Sequence, residues 1–178
     1  FFLLGLSNFQ RDRLSEQQTY RIGAGSTIAQ HLLLPVLAAG QVTKGAPRFA
    51  VETVGPSEAE RRLHDLTLDF AVVTTASLSR PLQSAEVGAW CLRLWVPRRL
   101  CRTEKAALRA HDRGELSFVI AREAGSLELG SIGDRQPLLT CESFVDALAA
   151  AEPGTLAVYA PDFLKPPGGE KAFLRLDL

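Results

Sequence analysis

Residues Tyr20–Leu37, YRIGAGSTIAQHLLLPVL, decide the fold: a short strand runs into a glycine turn with two hydroxyls, and the turn opens an apolar helix. Gly23 and Gly25 admit backbone conformations that a β-carbon would hinder, and Ser26 and Thr27 suit the cap and first turn of a helix. The first N–H groups of a helix lack partners within it, and the helix dipole makes that end slightly positive. Gly25, Ser26 and Thr27 therefore form a candidate seat for a carboxylate or another small anion. Pro35 removes the hydrogen bond that would return to the carbonyl of His31, which predicts a kink or an early stop. Two other readings stay open. GAGSTI has the first part of a dinucleotide-binding fingerprint, with Ile28 where the third glycine should stand and Glu52 as a candidate ribose acid. Alternatively, the hydroxyls only cap the helix.

Moving outward, Arg48–Val54 (RFAVETV) alternates with the period of a strand, and Gly55-Pro56 breaks it. Ser57 and Glu60 have capping-box spacing, which predicts a helix from Glu58 to about Leu66. Leu68–Thr74 (LDFAVVT) is a continuous apolar run of strand length, with Asp69 suited to turn or cap hydrogen bonding. Strand, helix, strand, helix, strand implies a parallel sheet with right-handed crossovers. Ligands collect beyond the carboxyl ends of such strands, which here carry Gly25-Ser26-Thr27, Gly55-Pro56-Ser57 and Thr74-Thr75-Ala76. Uncharged hydroxyls at those ends suit holding a small polar ligand rather than cutting it.

Residues 1–19 read as a helix with an apolar first half, meeting a partner subunit or an upstream domain, or folding back on its own domain. Glu86–Pro97 is long enough to be one strand serving two lobes. Thr103 caps a helix over Glu104–Asp112, stopped by Gly114. Strands follow at Ser117–Ala121, Leu138–Cys141, Thr155–Ala160 and Ala172–Leu178, with a helix from Glu142 or Ser143 to about Ala151. The alternation thus recurs, which points to a second lobe. Arg122, directly after a buried strand, is the candidate clamp for a ligand carboxylate.

Apolar residues make up 46% of the 178 and charged residues 22%, an ordinary globular composition. Lys plus Arg equals Asp plus Glu at 20 each, so no overall basic field draws the chain toward nucleic acid. Cys91, Cys101 and Cys141 show no metal-ligand spacing, and an odd, sparse count suits a reducing compartment. No apolar run approaches a membrane span, so a cytoplasmic protein without membrane contact, metal or cofactor is expected. His31, His64 and His111 show no pairing with a nucleophile, so no catalytic residue is assigned.

RIGAGSTIAQHLLLPVL, LDFAVV, LRLWVP and CESFVDALAAAEPGTLAVYAPDFL, in that order and spacing, resemble the effector-binding domain of LysR-type transcriptional regulators. The resemblance covers most of residues 20–164. It implies a type 2 periplasmic-binding-protein-like α/β fold, with two lobes joined by two crossing strands and a small-molecule effector in the cleft between them. It implies residues 1–19 as the end of a linker helix, 20–90 and 161–178 as the first lobe, and 91–160 as the second. It places Gly25, Ser26, Thr27, Thr74 and Thr75 at the effector, with the turn 121–123 as the second lobe's wall. The implied partners are a small, anionic metabolite and further copies of the chain, as a homodimer or tetramer through the lobes. DNA would be read only by a winged helix-turn-helix absent from residues 1–178. Peroxide-sensing members exist in the family, but Cys91 and Cys101 lack a matching pattern, so inert structural thiols are expected. Leu66 stands where the family has a glycine, which predicts a differently built turn. The rival functions are a nucleotide- or phosphate-using α/β enzyme, and a dimerisation module with a vestigial pocket.

Overall fold

The computed structural model describes residues 2–6, 19–40, 47–74, 79–124 and 135–177. Two compact units follow one another, Phe1–Ala89 and Trp90–Leu178.

The first unit contains β1 (Phe2–Leu6), β2 (Thr19–Ala24), α1 (Ser26–Ile28), a π-helical stretch (Ala29–Leu33), α2 (Leu34–Gly40), β3 (Arg48–Thr53), α3 (Pro56–His64), β4 (Phe70–Val73) and β5 (Gln83–Gly88). Its sheet has the order β3-β2-β4-β1-β5. β2 lies between β3 and β4 and runs parallel to both, with Ala24 level with Thr53 on one side and Val72 on the other. The parallel core read from the alternation is therefore present. The helix expected over residues 1–19 is corrected where the stretch is described, since Phe2–Leu6 is a strand, antiparallel to β4 and β5; residues 7–18 lie outside the described residues.

Gly23 owes its place to packing rather than to an unusual backbone. A β-carbon there would lie 2.6 Å from both Leu68 Cδ1 and Val54 Cγ2, atoms of the buried cluster that α3 covers with Ala59 and Leu63. Gly25 likewise has an ordinary φ of −59° and serves as the N-cap of α1. Pro35 does not stop the helix. The turn before it widens into the π-helical stretch, where the Leu34 N–H reaches back to the Ala29 carbonyl, and the helix then runs on to Gly40.

α3 corrects the expected capping box. Pro56 occupies its first turn, Gly55 is the N-cap, and no side chain caps it. The far end is closed by a Schellman motif: Thr67 N–H donates to the Arg62 carbonyl at 2.9 Å and Leu66 N–H to the Leu63 carbonyl at 3.2 Å. Leu66 takes the left-handed position with φ 56°. The turn is thus built in the conformation a glycine would adopt, with a leucine in the glycine's place.

The second unit contains β6 (Leu92–Pro97), α4 (Glu104–Asp112), β7 (Phe118–Ala121), a 3-10 turn (Arg122–Ala124), β8 (Leu139–Cys141), α5 (Phe144–Ala151), β9 (Ala157–Pro161), α6 (Gly169–Ala172) and β10 (Phe173–Leu176). The sheet order is β10-β6-β9-β7-β8. β7, β8 and β9 are mutually parallel, and β6 is antiparallel to both its neighbours. The single strand expected over Glu86–Pro97 is two strands, β5 and β6, in different sheets. Residues 161–178, expected in the first lobe, belong to the second unit, because β10 pairs with β6.

Strand alternation gives this sheet two apolar faces. Trp95, Val119, Val158, Ala160 and Phe173 pack with Phe144, Ala147, Leu148 and Ala151 of α5, the i, i+3, i+4, i+7 stripe of a core-facing helix. Leu94, Val96, Tyr159 and Leu174 pack on the other face with Ala107 of α4. Each large side chain removed from water contributes about 1.5–3 kcal/mol. The cap expected at Thr103 is present, with Ala106 N–H donating to its Oγ1 at 3.2 Å, and α5 is capped by Ser143, whose Oγ accepts from the Asp146 N–H at 3.1 Å.

Candidate functional site

The register of the first sheet brings three chain segments to one end. Ala24 is flanked by Thr53 and Val72, so Gly25-Ser26, Val54-Gly55 and Val73-Thr74 leave the carboxyl ends of three adjacent parallel strands together. The Val54 N–H donates to the Ala24 carbonyl at 2.9 Å, extending the pairing to the rim. Ser26 and Thr74 are half-buried there. Thr27, by contrast, is 1% exposed, so its side chain belongs to the packing under the rim rather than to the open surface. Thr75 lies outside the described residues.

This end can do what parallel α/β sheets do elsewhere. The Ala29 N–H is taken by the Gly25 carbonyl at 2.8 Å, which begins the helical ladder at the rim. The helix that starts here continues through Gly40 across the π-helical stretch, and such stretches occur often at functional positions. Amides, a serine and a threonine make a neutral, hydrogen-bonding rim suited to a carboxylate or phosphate.

Two expected participants are engaged with other groups. Arg122 Nη1 lies 2.9 Å from Glu142 Oε1, and both side chains are largely exposed, so the candidate clamp is a surface ion pair. Glu52, the candidate ribose acid, is paired with Arg62 at 2.7 Å. With that acid neutralised and Ile28 in the third glycine position, the dinucleotide reading has no support in the site.

A cluster not foreseen from sequence lies beside α3. Ser79 Oγ donates to Glu60 Oε1, the Ser79 N–H donates to the same oxygen at 2.8 Å, and His64 Nε2 is 2.8 Å from Ser79 Oγ. Glu60 and His64 stand one turn apart, which was the available signal. It is not a nucleophile dyad. The only hydroxyl proton goes to Glu60, so the imidazole donates to the serine oxygen and cannot serve as its base. The carboxyl of Glu60 is held below its ordinary value of 4.5, chiefly by the Ser79 hydroxyl and then by the Ser79 amide.

His111 is buried, with Nε2 2.9 Å from the Tyr159 hydroxyl. Cys101 and Cys141 have thiol pKa values raised by burial, with Glu115 and Asp146 adding to the respective shifts, while Cys91 is exposed. Among the described residues, no group of three or more His, Cys, Asp or Glu could hold a metal ion, and no helix is long and apolar enough to cross a membrane.

The two sheets, each a parallel core with an antiparallel strand beside it and helices between strands, define a type 2 periplasmic-binding-protein-like α/β fold. The LysR substrate binding domain matches residues 14–165, and the chain belongs to that family. It is thus an effector-binding regulatory domain of the kind carried by LysR-type transcriptional regulators. Solved structures agree on the fold. A variant of the OxyR2 regulatory domain from Vibrio vulnificus is 14% identical, with 94% of this chain and 84% of that chain covered and a TM-score of 0.70. The cofactor-binding domain of the Cbl transcriptional regulator is 14% identical over 96% of this chain and 78% of its own, with a TM-score of 0.72. Full-length CbnR, solved with its target DNA, is 16% identical over 90% of this chain, with a TM-score of 0.66, and this chain spans 59% of its length. No curated protein matches.

Proposed function

We propose that this chain is the sensing part of a transcription regulator that holds a small, anionic metabolite without transforming it. The ligand's carboxylate or phosphate would be received at the rim formed by Gly25, Ser26 and Thr74, with Thr75 next in the chain and Thr27 supporting the rim from beneath. The observation that carries this is the strand register, which delivers a helix start and two hydroxyl residues to one sheet end. Arg122, paired with Glu142, is not included in this rim. Binding would bias the rim between two arrangements through its different contacts in each.

The change would reach other copies of the chain. Val36 on α2 is 70% exposed and Leu34 beside it is also exposed, as are Leu138 and Leu139 at the edge strand β8. Apolar surface of this kind supports a homodimer or tetramer. DNA reading would fall to a segment outside residues 1–178, in line with the length of CbnR.

The test is thermal stabilisation by a panel of mono- and dicarboxylates and sugar phosphates. A compound that raises the melting temperature of the native chain should lose that effect in the Ser26→Val, Thr74→Val double variant, whose own melting temperature and circular dichroism stay close to native. Equal stabilisation of both proteins would remove these residues from the site.

A further inference from the structure

Among the described residues of the second unit, the buried donors Arg93 Nε and Trp95 Nε1 make no hydrogen bond. Arg93 and Trp95 lie two residues apart on β6 and therefore share a face of the sheet, and Arg175 on β10 is level with Trp95. Trp95 is 1% exposed, and its indole N–H has no acceptor among the described residues. A buried indole N–H ordinarily finds a partner, and leaving one unpaired costs about 1–3 kcal/mol. Arg93 is also withdrawn from water, at 24% side-chain exposure. Its Nε comes within 3.2 Å of Asp177 Oδ1 but is not aligned for a hydrogen bond. Arg175 Nε approaches the same carboxylate oxygen at 3.5 Å, so two guanidiniums share one exposed acid.

The position of Arg93 is also informative. β6 is antiparallel to β9, so Arg93, level with Ala160, lies at the carboxyl end of the parallel strands β7 and β9. That is the end where α/β sheets take ligands.

We propose that Arg93, Arg175 and the Trp95 indole form an oxyanion site for a carboxylate or phosphate group, with Asp177 occupying it as an internal competitor. Two cations against one carboxylate leave one positive charge for an external anion. The partly buried guanidiniums would grip it more strongly than surface arginines can. The site is argued from residues 93–177 alone and stands or falls apart from the rim at Ser26.

The experiment follows the side-chain indole resonance of Trp95, assigned by a Trp95→Phe variant, in the full chain. Inorganic phosphate and acetate are titrated separately at ionic strength held constant with chloride. A saturable shift with either anion is expected, and the anion that produces it identifies the chemistry preferred. Arg93→Gln should weaken the apparent affinity about tenfold or more, the loss of a charged hydrogen-bonded contact. Asp177→Asn, on the exposed side, should tighten it by removing the competitor. If Arg93→Gln fails to fold, Arg175→Gln supplies the weakening arm. A resonance indifferent to both anions overturns the site, as does a shift equal in native, Arg93→Gln, Arg175→Gln and Asp177→Asn proteins.

Discussion

The Arg21 guanidinium donates to the carbonyl of Leu66 at 3.0 Å, fastening to β2 the left-handed residue that ends α3. A leucine in that conformation costs about 1–2 kcal/mol. Glycine would remove the cost while adding unfolded-chain entropy of roughly 0.5–1 kcal/mol. Leu66→Gly should therefore stabilise the chain by about 0.5–1 kcal/mol, read as a higher urea midpoint at unchanged slope. A lowered midpoint would mean that the half-exposed leucine side chain contributes more than its backbone costs.

Gly23→Ala should act in the opposite direction. The new methyl would meet Leu68 and Val54 at 2.6 Å within a buried cluster, and overpacking of this kind costs about 1–3 kcal/mol. Denaturant unfolding measures the loss, and a neutral result would show that both neighbours can move aside.

The Glu60–Ser79 contact gives an acid-side signature. The folded-state pKa of Glu60 is depressed, so its contribution is present above the ordinary value of 4.5 and disappears as pH falls through the lowered folded value. Glu60→Gln should melt below the native chain at pH 7, and the gap should close as pH falls below 4.5. Melting curves from pH 7 to pH 3 decide it: a gap of constant size would assign the loss to something other than the carboxylate charge.

Alkylation should separate the three thiols. Burial raises the pKa of Cys101 and Cys141 and so lowers their thiolate fraction at neutral pH, while Cys91 is open to reagent. Iodoacetamide followed by peptide mass mapping should label Cys91 first. Faster labelling of Cys141 would contradict the burial assigned to it.

Val36→Glu tests the self-association reading. A charge on this exposed residue leaves the core untouched, so the fold should persist while the oligomer dissociates in sedimentation or size-exclusion measurements. An oligomer of unchanged size would place the contact elsewhere.

Both parallel cores were legible because their signals are local: apolar runs of strand length, a hydroxyl cap at Thr103, and a break at Gly114, whose φ is 71°. What failed depended on distant partners. Phe2–Leu6 carries apolar residues at helical spacing, but pairing with β4 and β5 decides its state, and nothing within the segment encodes those neighbours. Ser57 had the spacing of a cap, yet Pro56 is already in the first turn and the Glu60 carboxylate is taken by Ser79, nineteen positions along. The same limit held at the rim. That Ser26 and Thr74 would emerge at one sheet end followed from strand order, whereas the burial of Thr27 and the pairing of Arg122 with Glu142 depended on contacts beyond their own segments.

Between Gly88 and Leu92 the polypeptide leaves one sheet for the other, and every later strand among the described residues pairs within the second. A single break at Ala89–Trp90 would therefore part residues 1–178 into an amino-terminal and a carboxyl-terminal fragment, each keeping every described strand pairing of its own. Each fragment, expressed by itself, would then show in its own melting curve whether its sheet folds unaided.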